Sequence, residues 1–65
     1  MKNNIKYLRK QLNLRQEDLA NKLGVTRQTI NAIENDKYNP TLELAMKLAK
    51  LFKTPVEGIF ELDDE

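Results

Sequence analysis

Apolar residues along this chain recur at three- and four-residue spacings, with little alternation and no long runs. That is the period of a helix packed on one side. Ile5, Leu8 and Leu12 share a face of a first helix predicted over residues 4–12. Asn3 or Asn4 supplies its N-cap oxygen, and Asn13 takes the left-handed conformation that ends it. A second helix runs from Gln16 to Leu23 and buries Leu19, Ala20 and Leu23. Gly24 closes it, since a residue without Cβ accepts positive φ freely. Thr26 caps a third helix, from Arg27 to Glu34, which buries Ile30 and Ile33. Residues 35–39 form a polar loop, and Pro40 bars helical continuation. Thr41 caps a fourth helix that reaches Phe52 and buries Ala45, Leu48, Ala49 and Phe52. In Thr54-Pro55-Val56-Glu57, a cap, a first-turn proline and a capping-box acid coincide. They predict a short fifth helix ending near Phe60. The order Ile59-Phe60-Glu61-Leu62 also leaves room for a short strand. The expected architecture is all-α, with five short helices in one domain over residues 1–62 and an acidic tail at 63–65.

Composition limits what such a domain can do. The chain has 65 residues, 40% of them hydrophobic, which suffices for one small core. A domain of this size buries only about 60% of the surface its unfolded chain exposes. Cys and His are both absent, which removes disulfides, thiolate sites and the commonest general base and zinc ligand. No carboxylate pair is placed for acid–base work, since Glu17 and Asp18 open a surface helix. An enzyme is therefore not expected, and neither is a cofactor. Apolar runs are far shorter than the ~20 residues of a membrane-spanning helix, and the first residues are polar and basic. A cytoplasmic protein is expected, associated with the nucleoid when bound to DNA.

The formal net charge is only +1, but the average conceals a gradient. Residues 1–55 carry all eleven basic residues and five acidic ones, giving +6. Residues 56–65 carry five acidic residues and no basic one, giving −5. A basic body with an acidic end can neutralise several phosphates despite a small total.

Residues 16–35 carry the chemistry. Two helices that cross steeply need a small residue where they touch, which Ala20 provides, and a tight turn, which Gly24 provides. Ile30 and Ile33 hold the second helix of the pair against the first, leaving its other face free. The run Gln16-Glu17-Asp18-Leu19-Ala20-Asn21-Lys22-Leu23-Gly24-Val25-Thr26-Arg27-Gln28-Thr29-Ile30 resembles the phage repressor/Cro-like (XRE) helix-turn-helix family. Ile33-Glu34-Asn35, Asn39-Pro40-Thr41-Leu42 and Leu48-Ala49 extend the resemblance in order over roughly residues 3–60. In its shortness the chain is similar to the stand-alone cytolysin-operon repressor type of that family.

The resemblance implies a lambda-repressor-like domain that binds double-stranded DNA and regulates transcription. It implies base contacts from Arg27, Gln28 and Asn31, with Arg suited to guanine and Gln or Asn to adenine. It places Gln16, Thr26, Thr29, Lys37 and Tyr38 near the phosphate backbone. Arg9 and Glu34 match a structural ion pair between the first and third helices. Arg15 departs from the pattern, standing where Ser, Thr or Asn often caps the second helix. Asp18 is expected to compensate partly, while Arg15 adds a phosphate contact. A homodimer is expected through Leu44, Leu51, Val56, Ile59, Phe60 and Leu62, so that two recognition helices read a pseudo-palindromic operator. The competing expectation is an antitoxin-like interaction module that also regulates its own synthesis. Its weakness is the short tail, which leaves little chain to wrap a toxin.

Overall fold

A computed structural model describes residues 1–63; Asp64 and Glu65, and with them most of the expected acidic tail, lie outside the described residues. The elements in chain order are β1 (Lys2–Asn3), α1 (Ile5–Gln11), α2 (Gln16–Leu23), α3 (Arg27–Glu34), α4 (Leu42–Phe52), α5 (Val56–Ile59) and β2 (Phe60–Glu61). Five helices surround one core made of Ile5, Leu19, Ala20, Leu23, Ile30, Ile33, Leu44, Ala45, Leu48, Ile59 and Phe60. Every helix contributes to it. No single helix of this length is stable alone in water, so the fold rests on this shared burial.

α2 and α3 have the predicted limits. α4 begins at Leu42 because the Thr41 hydroxyl accepts the Leu44 backbone N–H at 3.2 Å. It buries Leu44, Ala45 and Leu48, while Ala49 and Phe52 are only partly buried against the core. The buried stripe is thus turned from the expected one.

α1 meets its capping expectation and departs from its packing one. The oxygen that caps it belongs to Asn3, which accepts the Ile5 backbone N–H at 3.1 Å, although Asn4 is the cap residue by position. Leu12 closes the helix half exposed, and Arg9 takes the buried place on the inner face. The next residue, Asn13, has φ 57° as the sequence suggested.

α5 lacks the expected capping box. Pro55 is its cap residue, one position after the predicted Thr54, and no side chain caps the helix. The Thr54 hydroxyl is already committed to the preceding helix end, donating to the Phe52 carbonyl at 2.9 Å.

The chain ends meet in a two-stranded antiparallel sheet, with Lys2 opposite Glu61 and Asn3 opposite Phe60. β1 was not predicted, and two residues carry no readable periodicity. The Asn4 backbone N–H extends the pairing to the Ile59 carbonyl at 2.8 Å. Leu44, Ile59 and Phe60 lie in the chain's own core, at 7%, 1% and 8% exposure. Those three residues therefore cannot form the outer face expected of them. Leu51 and Val56 are half-buried, and Leu62 is exposed.

Candidate nucleic-acid interface

The geometry of residues 16–35 follows from three local decisions. Ala20 is almost wholly buried where α2 meets α3. Gly24 adopts φ 73°. Its N–H reaches the Asn21 carbonyl, and the Val25 N–H reaches the Ala20 carbonyl at 3.0 Å. This is the Schellman arrangement, which satisfies carbonyls that a helix end would otherwise orphan. Thr26 then starts α3, its hydroxyl accepting the Thr29 backbone N–H at 3.2 Å. The Thr26 and Thr29 hydroxyls also lie 3.1 Å apart in a hydrogen bond.

Ile30 and Ile33 pin α3 to the core. At ~3.6 residues per turn, the opposite face centres on Gln28, with Arg27 and Asn31 beside it. All three are exposed. Among the described residues, no hydrogen bond or ion pair engages the Arg27 or Gln28 side chain. Lys37 and Tyr38 are exposed in the following loop, which turns at Asp36 with φ 60°. Tyr38 and Thr29 line one shallow depression with Gly24, Val25 and Thr41.

The inner end of this face is fixed by an ion pair. Arg9 Nε donates to Glu34 Oε2 at 2.7 Å, and Arg9 Nη2 to Glu34 Oε1 at 3.1 Å. Arg9 Nη1 donates to the Leu14 carbonyl at 2.9 Å. The two side chains are 9% and 3% exposed. A two-pronged geometry with each guanidinium nitrogen engaged is what makes a buried pair tolerable. Gln16 Nε2 adds bonds to Glu34 Oε1 at 3.0 Å and to Asn31 Oδ1 at 3.2 Å. Both amide hydrogens of Gln16 are thereby turned inward, so the side chain expected near a phosphate offers it no donor in this arrangement.

At the start of α2, Asp18 compensates for the missing cap as anticipated. Its carboxylate accepts the Arg15 backbone N–H at 2.9 Å. Arg15 has no side-chain acceptor, so the other half of a capping box cannot form. The Arg15 guanidinium instead pairs with Asp18, Nε to Oδ2 at 3.1 Å and Nη2 to Oδ1 at 3.2 Å. Those side-chain bonds, with the backbone bond second, hold the Asp18 carboxyl below its ordinary range. The same pairing raises Arg15.

Two residues of the site escaped the sequence reading. Asn35 donates from Nδ2 to the Asn31 backbone carbonyl at 2.9 Å and to Asn31 Oδ1 at 3.2 Å. Its four-residue spacing from Asn31 was the available signal. Asn3 donates to the Ile33 carbonyl at 2.8 Å and to Asp36 Oδ1 at 3.1 Å, tying β1 to the end of α3. Nothing local in the sequence joins residues thirty apart.

A packed helix pair closed by glycine, with a polar outer face on its second member, is the arrangement of a helix-turn-helix DNA-binding domain. The family model described as "Helix-turn-helix" matches residues 5–59, and the chain belongs to that family of DNA-binding transcriptional regulators. It is similar to an uncharacterized HTH-type transcriptional regulator of Methanocaldococcus jannaschii, 58% identical over all of this chain and 98% of the relative. It is 46% identical to the uncharacterized HTH-type regulator YgzD of Bacillus subtilis, again over the whole chain and 98% of the relative. It is also 40% identical, over 80% of this chain and 47% of the relative, to the cryptic phage CTXphi transcriptional repressor RstR of Vibrio cholerae. Among the described residues, no helix is long and apolar enough to cross a membrane.

Proposed function

We propose that this protein is a sequence-specific repressor that binds a pseudo-palindromic operator as a homodimer. The observation that carries the reading is the outer face of α3, where Arg27, Gln28 and Asn31 stand exposed on a helix anchored by Ile30 and Ile33. A helix of this width enters the major groove, and these side-chain types hydrogen-bond base edges there. Arg15, Lys37 and Tyr38, with Thr26 and Thr29 at the start of α3, flank that face and serve the phosphates. At Gln16 the backbone N–H groups opening α2 do so in place of the amide, because a helix N-terminus favours an anion.

The net +6 of residues 1–55 supports this reading. The similarity to a Vibrio cholerae phage transcriptional repressor supports repression over activation. An eight-residue helix reads only a few base pairs. Two copies about 34 Å apart read successive faces of the groove, and of the residues expected at the interface Leu51, Val56 and Leu62 are those left to join them. A mobility-shift titration against a selected operator and random DNA tests the proposal. Operator binding is expected to be tighter, and both affinities to fall steeply as salt rises. Equal affinity for the two DNAs overturns it.

A further inference from the structure

We infer that Asn31 reads its base as a hydrogen-bond donor only, because Gln16 and Asn35 between them occupy its side-chain oxygen. The inference rests on the DNA-reading role proposed for α3 and adds to it the polarity of one contact.

Two groups that can only accept fix the orientation. The Glu34 carboxylate oxygen faces the Gln16 amide at 3.0 Å. A carboxylate accepts, so Gln16 must turn its NH2 toward it. That same nitrogen lies 3.2 Å from the Asn31 side chain, whose facing atom must therefore be the oxygen. From the other side, the Asn31 backbone carbonyl lies 2.9 Å from the Asn35 amide. A carbonyl also only accepts, so Asn35 presents its NH2 as well, and that NH2 is 3.2 Å from the same Asn31 oxygen. Both neighbours require one orientation of Asn31. Flipping its amide would set NH2 against NH2 on both sides. The Asn31 oxygen thus receives two hydrogen bonds from its own chain, and its NH2 remains for DNA. Behind this network stands the buried Arg9–Glu34 pair, which keeps Glu34 from swinging away.

The chemical consequence is a base preference. Adenine offers an acceptor beside a donor in the major groove, and an asparagine matches both only when its oxygen is free. Guanine offers two adjacent acceptors, N7 and O6, thymine offers one, and cytosine offers a donor. A donor-only asparagine therefore favours guanine over adenine, which reverses the usual expectation for this residue type.

The test is selection of bound DNA from a random pool, using the full chain and its Asn31→Ala, Asn35→Ala and Gln16→Ala/Asn35→Ala variants. Gln16 is half-buried and Asn35 exposed, and Glu34 keeps both Arg9 bonds in each variant. Circular dichroism confirms folding, and Asn35→Ala alone serves if the double variant unfolds. Asn31→Ala identifies the base position that Asn31 reads, as the one whose preference it erases. The wild type is expected to select guanine there. Freeing the Asn31 oxygen is expected to lower the guanine-to-adenine ratio at that position by about tenfold, within the range of one two-bond contact. Adenine selected by the wild type overturns the inference. So does a ratio unchanged in the folded variants, or a motif that Asn31→Ala leaves intact. Those results leave the repressor reading standing, whereas a pool that enriches no motif removes both.

Discussion

Arg9 and Glu34 meet where the core of a small domain has little to spare. A chain of this size has a stability of roughly 0.05–0.15 kcal/mol per residue. Removing one partner of a buried pair costs about 3–5 kcal/mol, because the other charge is left without compensation. Arg9→Ala is therefore expected to leave the protein largely unfolded at room temperature, as read by urea titration. Asp18 sits at the opposite extreme, in an exposed pairing that pH can probe. Its folded-state carboxyl is held below the ordinary value by Arg15. The stabilisation is thus fully present above the unfolded value of about 3.9 and is lost as pH falls through the lowered folded value. In thermal melts, the Tm gap between wild type and Asp18→Asn should hold steady from neutral pH down to about 4. Below that it should close. The sequence foretold Asp18 because a carboxylate three residues into a helix is a local signal. It misplaced Leu12 because periodicity registers apolarity alone; the Arg9–Glu34 pair came from the family resemblance, since periodicity is blind to a charge whose partner lies twenty-five positions away.

Among the elements, α2 and α3 were readable to the residue, since Gly24 and Thr26 punctuate them. An ideal Cβ at Gly24 would meet nothing within 4 Å, yet φ is 73° there. Gly24→Ala is accordingly expected to cost about 1–2 kcal/mol through backbone strain alone. The check is chemical denaturation, with core packing unchanged by near-ultraviolet dichroism. Arg15 tests the entry to α2. Serine there would supply the acceptor that Arg15 lacks while Asp18 keeps its bond to the backbone. Arg15→Ser should raise Tm and weaken DNA binding in the same preparation; unchanged affinity would remove Arg15 from the phosphate contacts. The sheet of β1 and β2 was legible only as a possible strand after Ile59, because two-residue pairings arise from closure of the chain on itself. α5 was located correctly but its cap was not, since Thr54 satisfies the helix before it.

At the scale of the molecule, what the core takes in decides which apolar surface remains. With Leu44, Ile59 and Phe60 inside, the proposed dimer rests on Leu51, Val56 and Leu62. Leu62 is 80% exposed, so Leu62→Asp should not disturb folding. Sedimentation equilibrium at micromolar concentration should give twice the chain mass for the wild type and the single-chain mass for this variant. A monomeric wild type would end the dimer proposal. The charge split acts at the same scale: a total of +1 hides a basic body of +6, and binding answers to the local field. Most of the face on α3 was legible because it is the polar complement of Ile30 and Ile33. What the sequence withheld was its orientation, which depends on Glu34, Gln16 and Asn35 converging from separate turns.

The central claim is that α3 reads bases while the loop after it holds phosphate. The ratio of operator to random-DNA affinity, measured at one fixed salt concentration for Arg27→Ala and Lys37→Ala, tests it most directly. Arg27→Ala should lower that ratio by about 1–3 kcal/mol, whereas Lys37→Ala should weaken both affinities alike and leave the ratio in place. An Arg27→Ala protein that keeps the wild-type ratio would contradict the account.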